Sequence, residues 1–175
     1  VRKTLDLMYS SGLYVMAYAY KEMSEPEGST DELESGLTLL GLVGMLDPPK
    51  PGVREAVEAL GKAGVKVVMV TGDNPLAAKA VAGQVGLLGR VVDARELVSQ
   101  SPEETYEKLG DVDVVARATP DVKETIVRVF QGRGHFVAMT GDGINDSTAM
   151  RQANVSIAMG SGTDLAKEVA SMVLL

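Results

Sequence analysis

The chain of 175 residues has no cysteine. That excludes a disulfide framework and a thiolate metal site, and it agrees with a reducing compartment. Tryptophan is also absent, and aromatic residues make up only 4%. The core must therefore be assembled from Val, Leu, Ala and Met. There is one histidine, His135, beside Gly134. No second base or ligand accompanies it, so it reads as structural. Seventeen Lys and Arg face 24 Asp and Glu, a net charge of −7. An acidic chain without a basic stripe is a poor candidate for nucleic acid. No apolar run approaches the ~20 residues of a membrane helix, and no signal-peptide pattern opens the chain. The first residue is not Met and the last four are apolar, which reads as a segment cut from a longer polypeptide.

What is present is glycine, 19 residues of it, and a hydrophobic fraction of 45%. Both suit α/β layers with close helix–sheet contacts. In order, the pattern predicts a helix over residues 1–11 stopped by Gly12, a strand over 13–20, and a polar loop over 21–35 holding Glu25-Pro26-Glu27-Gly28-Ser29. An apolar strand over 37–46 follows, ending in Asp47-Pro48-Pro49-Lys50-Pro51. Pro51 is expected to open a helix running to about Ala63. A strand over 65–70 ends in Thr71-Gly72-Asp73, and Asn74-Pro75 caps and starts the next helix. Residues 87–92 are ambiguous. Ser101-Pro102-Glu103-Glu104 has the form of a capping box. A strand over 112–116 leads to Thr119-Pro120 and a helix carrying Lys123. Strands over 136–139 and 155–159, with helices over 147–152 and 164–169, complete the series. The nine methionines read as core filler. From Leu37 onward strand and helix alternate, the signature of a doubly wound, mostly parallel sheet of Rossmann-like α/β class.

The chemistry concentrates in VAMTGDGIND, Val137 to Asp146. An apolar stretch, expected to be a buried parallel strand, ends in a glycine-rich turn holding Asp142, Asn145 and Asp146. In open α/β sheets ligands bind at the carboxyl ends of the strands. Two acids four positions apart repel each other unless a cation is near. Oxygen ligands of this kind suit magnesium, which takes one or two carboxylates plus phosphate and water. The competing reading is a turn that uses Asp and Gly because turns favour them. The wider pattern favours a phosphate site. Thr71-Gly72-Asp73 ends another strand, Arg117 follows a third, and Lys123 lies near the same edge. Hydroxyl, lysine, backbone donors and a magnesium carboxylate together supply the positioning and charge stabilisation that phosphoryl transfer needs. No residue supplies a nucleophile.

The segments GMLDPPKPGV, VMVTGDNPLAAKAVAGQVGL, VARATPDVKETIV, VAMTGDGINDSTAM and IAMGSGTDLAKEVASMVLL resemble, in that order, the second half of the phosphorylation domain of P-type cation pumps. These have a haloacid-dehalogenase-like catalytic domain. GMLDPP with AMGSGTDLAKE looks most like the calcium-pump branch. The resemblance covers residues 37–175, and residues 1–36 look like the tail of the nucleotide-binding domain. It implies an incomplete sheet on the N-terminal side, with Mg2+ and ATP as cofactors. It implies Asp142 as magnesium ligand, with Asp146 and Asn145 supporting metal and phosphate. Thr71, Gly72 and Lys123 match phosphate-contacting positions, and Asp73 and Arg117 match residues facing the nucleotide. The phosphorylated Asp of the family, its actuator domain and its membrane helices are absent here.

The resemblance further implies a place on the cytoplasmic face of a membrane. It gives no binding of the transported cation in this chain and no activity by the chain alone. Lys50 stands where the family usually has Arg, and Ser147-Thr148 where it usually has Ala-Pro. Two other readings of the residues stay open: a non-catalytic magnesium- or nucleotide-binding regulatory module, and a soluble phosphatase of the same superfamily.

Overall fold

The computed structural model describes residues 1–23 and 28–175. Glu25, Pro26 and Glu27 of the expected loop lie outside the described residues. The chain opens with α1 (Arg2–Ser10) and β1 (Tyr14–Tyr20), then a short helix α2 (Thr30–Leu33) and β2 (Thr38–Met45). α2 corrects the reading of 21–35 as loop throughout. Its signal was in the sequence, since the Ser29 hydroxyl accepts from the Glu32 N–H and the Glu32 carboxylate accepts from the Ser29 N–H. β1 and β2 form an antiparallel ribbon pairing Tyr14 with Met45 and Tyr20 with Thr38. β2 therefore does not belong to the parallel series.

α3 (Val53–Lys62), β3 (Met69–Val70), α4 (Pro75–Gln84) and β4 (Arg90–Asp93) follow. Gly52, in the left-handed region at φ 86°, occupies the N-cap of α3. Pro51 thus stays in the preceding turn, contrary to expectation. A residue with positive φ is needed there, and proline, fixed near −65°, cannot supply it. β3 has only two residues instead of six. Asn74 caps α4 as expected, accepting from the Leu76 N–H at 2.9 Å. The ambiguous stretch resolves into β4. α5 (Pro102–Leu109), with its Ser101/Glu104 capping box, β5 (Val112–Ala116) and α6 (Pro120–Gly132) come next. Thr119 occupies the N-cap of α6, but its side chain makes no cap bond. The remainder is β6 (Ala138–Gly141), α7 (Ser147–Gln152), β7 (Val155–Met159), α8 (Asp164–Val169) and β8 (Met172–Leu174).

The α/β class with parallel sheets is as expected, but the parallel strands divide into two sheets of three. One has the order β3-β5-β4 and the other β6-β7-β8. In the first, β5 is central and buried, and helices cover both of its faces. Val112 and Val115 pack with Leu109 of α5 and Ile126 of α6. Val114 and Ala116 pack with Ala78 and Ala82 of α4. In the second, Met150 of α7, Ala158 of β7 and Ala166 of α8 form a separate cluster. β6 is an edge strand and only partly covered. The expectation of a buried strand fails because, among the described residues, it has a neighbour on one side only. β3 is likewise an edge. α3 has no buried residue, and Leu60 on its apolar stripe is exposed.

The methionines divide in the same way. Met150 is buried and Met139 and Met69 pack against core clusters, but Met16, Met45, Met159 and Met172 are exposed. α6 spans the division between the sheets, packing on α5 at one side and α7 at the other.

Leu109 has no exposed surface. Leu109→Ala should lower the unfolding free energy by about 2–5 kcal/mol, the range for a truncated core leucine. Leu60→Ala on the uncovered face of α3 should change it by no more than about 0.5 kcal/mol. Urea titrations of the two variants check both values.

Candidate functional site

The carboxyl ends of β3 and β5 are tied together by backbone hydrogen bonds. The Thr71 N–H donates to the Val115 carbonyl at 2.9 Å, and the Ala118 N–H donates back to the Thr71 carbonyl at 2.9 Å. The Arg117 N–H donates to the Asp73 carbonyl at 2.9 Å. The Thr71 hydroxyl accepts from the Asp73 N–H at 3.1 Å, which fixes the turn. Gly72 and Asp73 are exposed at its tip. Arg117 has φ 54°. That left-handed conformation costs a residue with a side chain about 1–3 kcal/mol, so the surrounding bonds must hold it.

The other Thr-Gly-Asp turn follows β6. Asp142 and Asn145 are exposed, while Asp146 is buried. Gly141 is required here by close approach. A Cβ on it would stand 2.5 Å from the Asp146 Cβ and 2.8 Å from the Met150 Sδ. The turn also locks onto the segment after β7. The Thr163 N–H donates to the Asp142 carbonyl at 2.8 Å, and a Cβ on Gly162 would meet that same oxygen at 2.9 Å.

α6 connects the two turns. It starts directly after the β5 end, and its second turn aims Lys123 at Asp146. The Lys123 Nζ donates to the Asp146 Oδ1 at 2.6 Å, and the two side chains are only 13% and 12% exposed. Lys123 is thus not on the solvated face of its helix. Its partner is the carboxylate assigned to metal and phosphate support. Thr71, Gly72, Asp73 and Arg117 lie together at one sheet's edge, and Asp142, Asn145 and Asp146 at the other's. Lys123, on the helix that follows Arg117, reaches the second group through Asp146.

Magnesium fits this donor set in part. Among the described residues no cluster of three or more acidic or imidazole side chains is able to hold a metal ion. One oxygen of Asp146 is committed to Lys123, which leaves the Asp142 carboxylate as the exposed oxygen donor. Magnesium accepts so sparse a set when phosphate and water complete its shell.

Sequence reasoning missed Asp93, at the carboxyl end of β4. Its Oδ2 accepts from Arg95 at 2.6 Å and from Arg117 at 2.7 Å. The Arg95 guanidinium and backbone N–H, with the Arg117 guanidinium, hold the Asp93 carboxyl far below the usual carboxylate range, against the opposing effect of burial. Reading residues 87–92 as a strand would have placed Asp93 at the ligand-binding edge. An open cleft of about 730 Å3 lies beside this edge, lined by Tyr9, Leu13, Met45, Asp47, Asp73 and Asn74. It borders the first Thr-Gly-Asp turn but not Asp142 or Lys123.

His135 takes the structural place expected of it. Its Nε2 is 2.8 Å from the Tyr106 hydroxyl, and its ring meets Phe130 edge-on.

Parallel α/β layers with acidic strand ends and a lysine between them define a class of hydrolase domain. A family model for haloacid dehalogenase-like hydrolases matches residues 14–154, and the chain belongs to that family. More narrowly, it is similar over nearly its whole length to ion-transporting ATPases. It is 44% identical over 171 residues to a calcium-transporting ATPase of Bacillus subtilis, covering 95% of this chain and 19% of that protein. It is 43% identical over 168 residues to calcium-transporting ATPase 1 of Lactococcus lactis, covering 93% and 19%. It is 39% identical over 181 residues to a cation-transporting ATPase of Synechocystis, covering 99% and 20%. These similarities agree with the resemblance to a phosphorylation-domain segment. The chain spans about a fifth of the length of these relatives. No helix of the described residues is long and apolar enough to cross a membrane.

Removing Lys123 strands a buried carboxylate, which typically costs about 3–5 kcal/mol. Lys123→Met should therefore destabilise the chain by about that amount. Lys123→Met combined with Asp146→Leu should cost clearly less than the sum of the two single changes. A double-mutant cycle in urea checks the coupling.

Proposed function

We propose that this chain forms one side of the phosphoryl-transfer site of an ATP-driven cation pump. The observation that carries the reading is the nearly buried Lys123–Asp146 pair, which ties the helix following β5 to the Thr-Gly-Asp turn after β6. The similarity to calcium- and cation-transporting ATPases supports it. In this reading residues 37–175 are the C-terminal portion of the phosphorylation domain and residues 1–36 a connector from the nucleotide-binding domain. The nucleotide-binding, actuator and membrane domains are further parts of the same polypeptide. The segment works at the cytoplasmic face of the membrane.

Thr71 and Gly72 bind phosphate oxygens by hydroxyl and backbone N–H, and Lys123 neutralises their charge. Asp73 and Arg117 face the nucleotide. Asn145 and Asp146 hold the turn that presents Asp142. Asp142 and the free oxygen of Asp146 are the protein ligands for Mg2+. The bound ion would withdraw charge from the transferring phosphoryl group. The Asp that is phosphorylated and then hydrolysed lies outside this chain. The edges of β3 and β6 that have no neighbour among the described residues, and the half-covered apolar stripe of α3, favour its arrival on a strand between the two sheets. The transported cation binds elsewhere, and calcium is the ion the similarities favour.

The test uses ATP labelled on its γ-phosphate, with Mg2+. The complete polypeptide carrying this segment is expected to form an acid-stable phosphoenzyme. The 175-residue chain is expected to form none. Asp142→Asn in the complete polypeptide is expected to lower the phosphoenzyme at least 10-fold, on the order of the loss seen when a metal's supporting groups are changed. A phosphoenzyme on the isolated chain would place the nucleophile within it. Turnover of a simple phosphomonoester by the chain alone would instead make it a soluble phosphatase.

A further inference from the structure

Asp93 has a place that the phosphoryl-transfer reading leaves unused. It ends β4, pairs with Ala116 in the ladder, and so stands beside the start of the Arg117 turn. Its carboxylate is nearly covered, with 13% of the side chain exposed. Among the described residues, its carboxylate is contacted by two arginines. Arg95 binds it through Nε at 2.9 Å, Nη2 at 2.6 Å and the backbone N–H at 3.1 Å. Arg117 binds it through Nη1 at 2.7 Å.

Two cations on one carboxylate leave this group of three with one unit of positive charge, beside the exposed Asp73. The Arg117 side chain is 36% exposed. Among the described residues, its Nε and Nη2 have no partner. Its backbone N–H donates to the Asp73 carbonyl. The guanidinium is thus pinned at one nitrogen, while its remaining donors stay open.

We infer that Asp93 is a positioning residue for nucleotide binding. It anchors the Arg117 guanidinium through Nη1, so that Nε and Nη2 are presented in a fixed orientation to oxygen atoms of the nucleotide. Arg95 occupies the rest of the carboxylate and keeps Asp93 from drawing Arg117 wholly to itself. A planar guanidinium held in advance loses less entropy on binding than a free one. A left-handed Arg117 is tolerated because Asp93 and Asp73 hold the residue at both ends. The inference rests on the reading in which Arg117 faces the nucleotide.

The experiment measures the ATP dependence of Mg2+-dependent hydrolysis by the complete polypeptide. Asp93→Ala is expected to raise KM for ATP about 10-fold, the scale of one charge-assisted hydrogen bond, with kcat within about twofold. Asp93→Glu is expected to recover most of the loss. Arg117→Ala is expected to raise KM similarly, and Asp93→Ala added to it is expected to change little more. Should Asp93→Ala not fold, Asp93→Asn keeps the shape while removing the charge, and a KM several-fold above wild type is expected. If KM stays within twofold in the Asp93 variants while Arg117→Ala raises it, Asp93 is a structural ion pair only and the inference is overturned. If Arg117→Ala also leaves KM unchanged, the nucleotide-facing role of Arg117 is wrong and the inference falls with it.

Discussion

The pairing of Lys123 with Asp146 is the constraint on which the arrangement of the molecule turns. It is the one ion pair, among the described residues, that links the half ending at α6 to the half beginning at β6. Packing of α6 on α7 brings these halves together but does not by itself specify their relative register. A short, nearly buried charge pair does, because each partner is costly without the other. The amide cluster at the far end of α6 works in the same sense. The Gln131 Nε2 donates to the Gln152 carbonyl at 2.8 Å, and the Gln152 Nε2 donates to the Gln131 Oε1 at 2.8 Å. α6 is thus pinned near both of its ends.

The chemistry inherits this geometry. The Lys123 ammonium is held in place by the nearly buried Asp146 carboxylate. The same carboxylate begins α7 and so anchors the turn that bears Asp142. In the proposed site, charge neutralisation and metal presentation are coupled through this one side chain. The Asp93–Arg117 contact repeats the device at the other sheet, where a nearly covered carboxylate fixes a cation at the strand ends. In both places a nearly covered acid orients a basic side chain, and in the proposed reading that side chain meets the ligand.

Much of this was legible in the sequence, and the exceptions have physical causes. Helix starts at Asn74 and Ser101 were visible because capping is local chemistry. The Ser29–Glu32 box was equally visible but lay within a charged stretch that reads as loop. Alternating strands and helices indicated parallel α/β layers. The alternation did not reveal the break between β3 and β6, because strand neighbours are a long-range matter. The same break makes the apolar strand at 138–141 an edge strand. It also leaves the stripe of α3 only partly covered, although both patterns look like core. Lys123 and Asp146 were each singled out, yet their pairing follows from how α6 crosses the molecule. Asp93 was missed because a four-residue strand carries too little periodicity to be recognised.

The glycines at 141 and 162 have a consequence for motion. Each stands where a single added carbon would collide with Asp146 or Asp142. The turn that presents Asp142 is therefore interlocked with its surroundings and has little slack. A stiff turn cannot bend toward a ligand by flexing its own backbone. Any approach of Asp142 to another group has to come from displacement of the whole β6–β8 layer as one block. The pliable places are then the connections between blocks, and α6, gripped on both sides, is the lever through which one block would feel the other move.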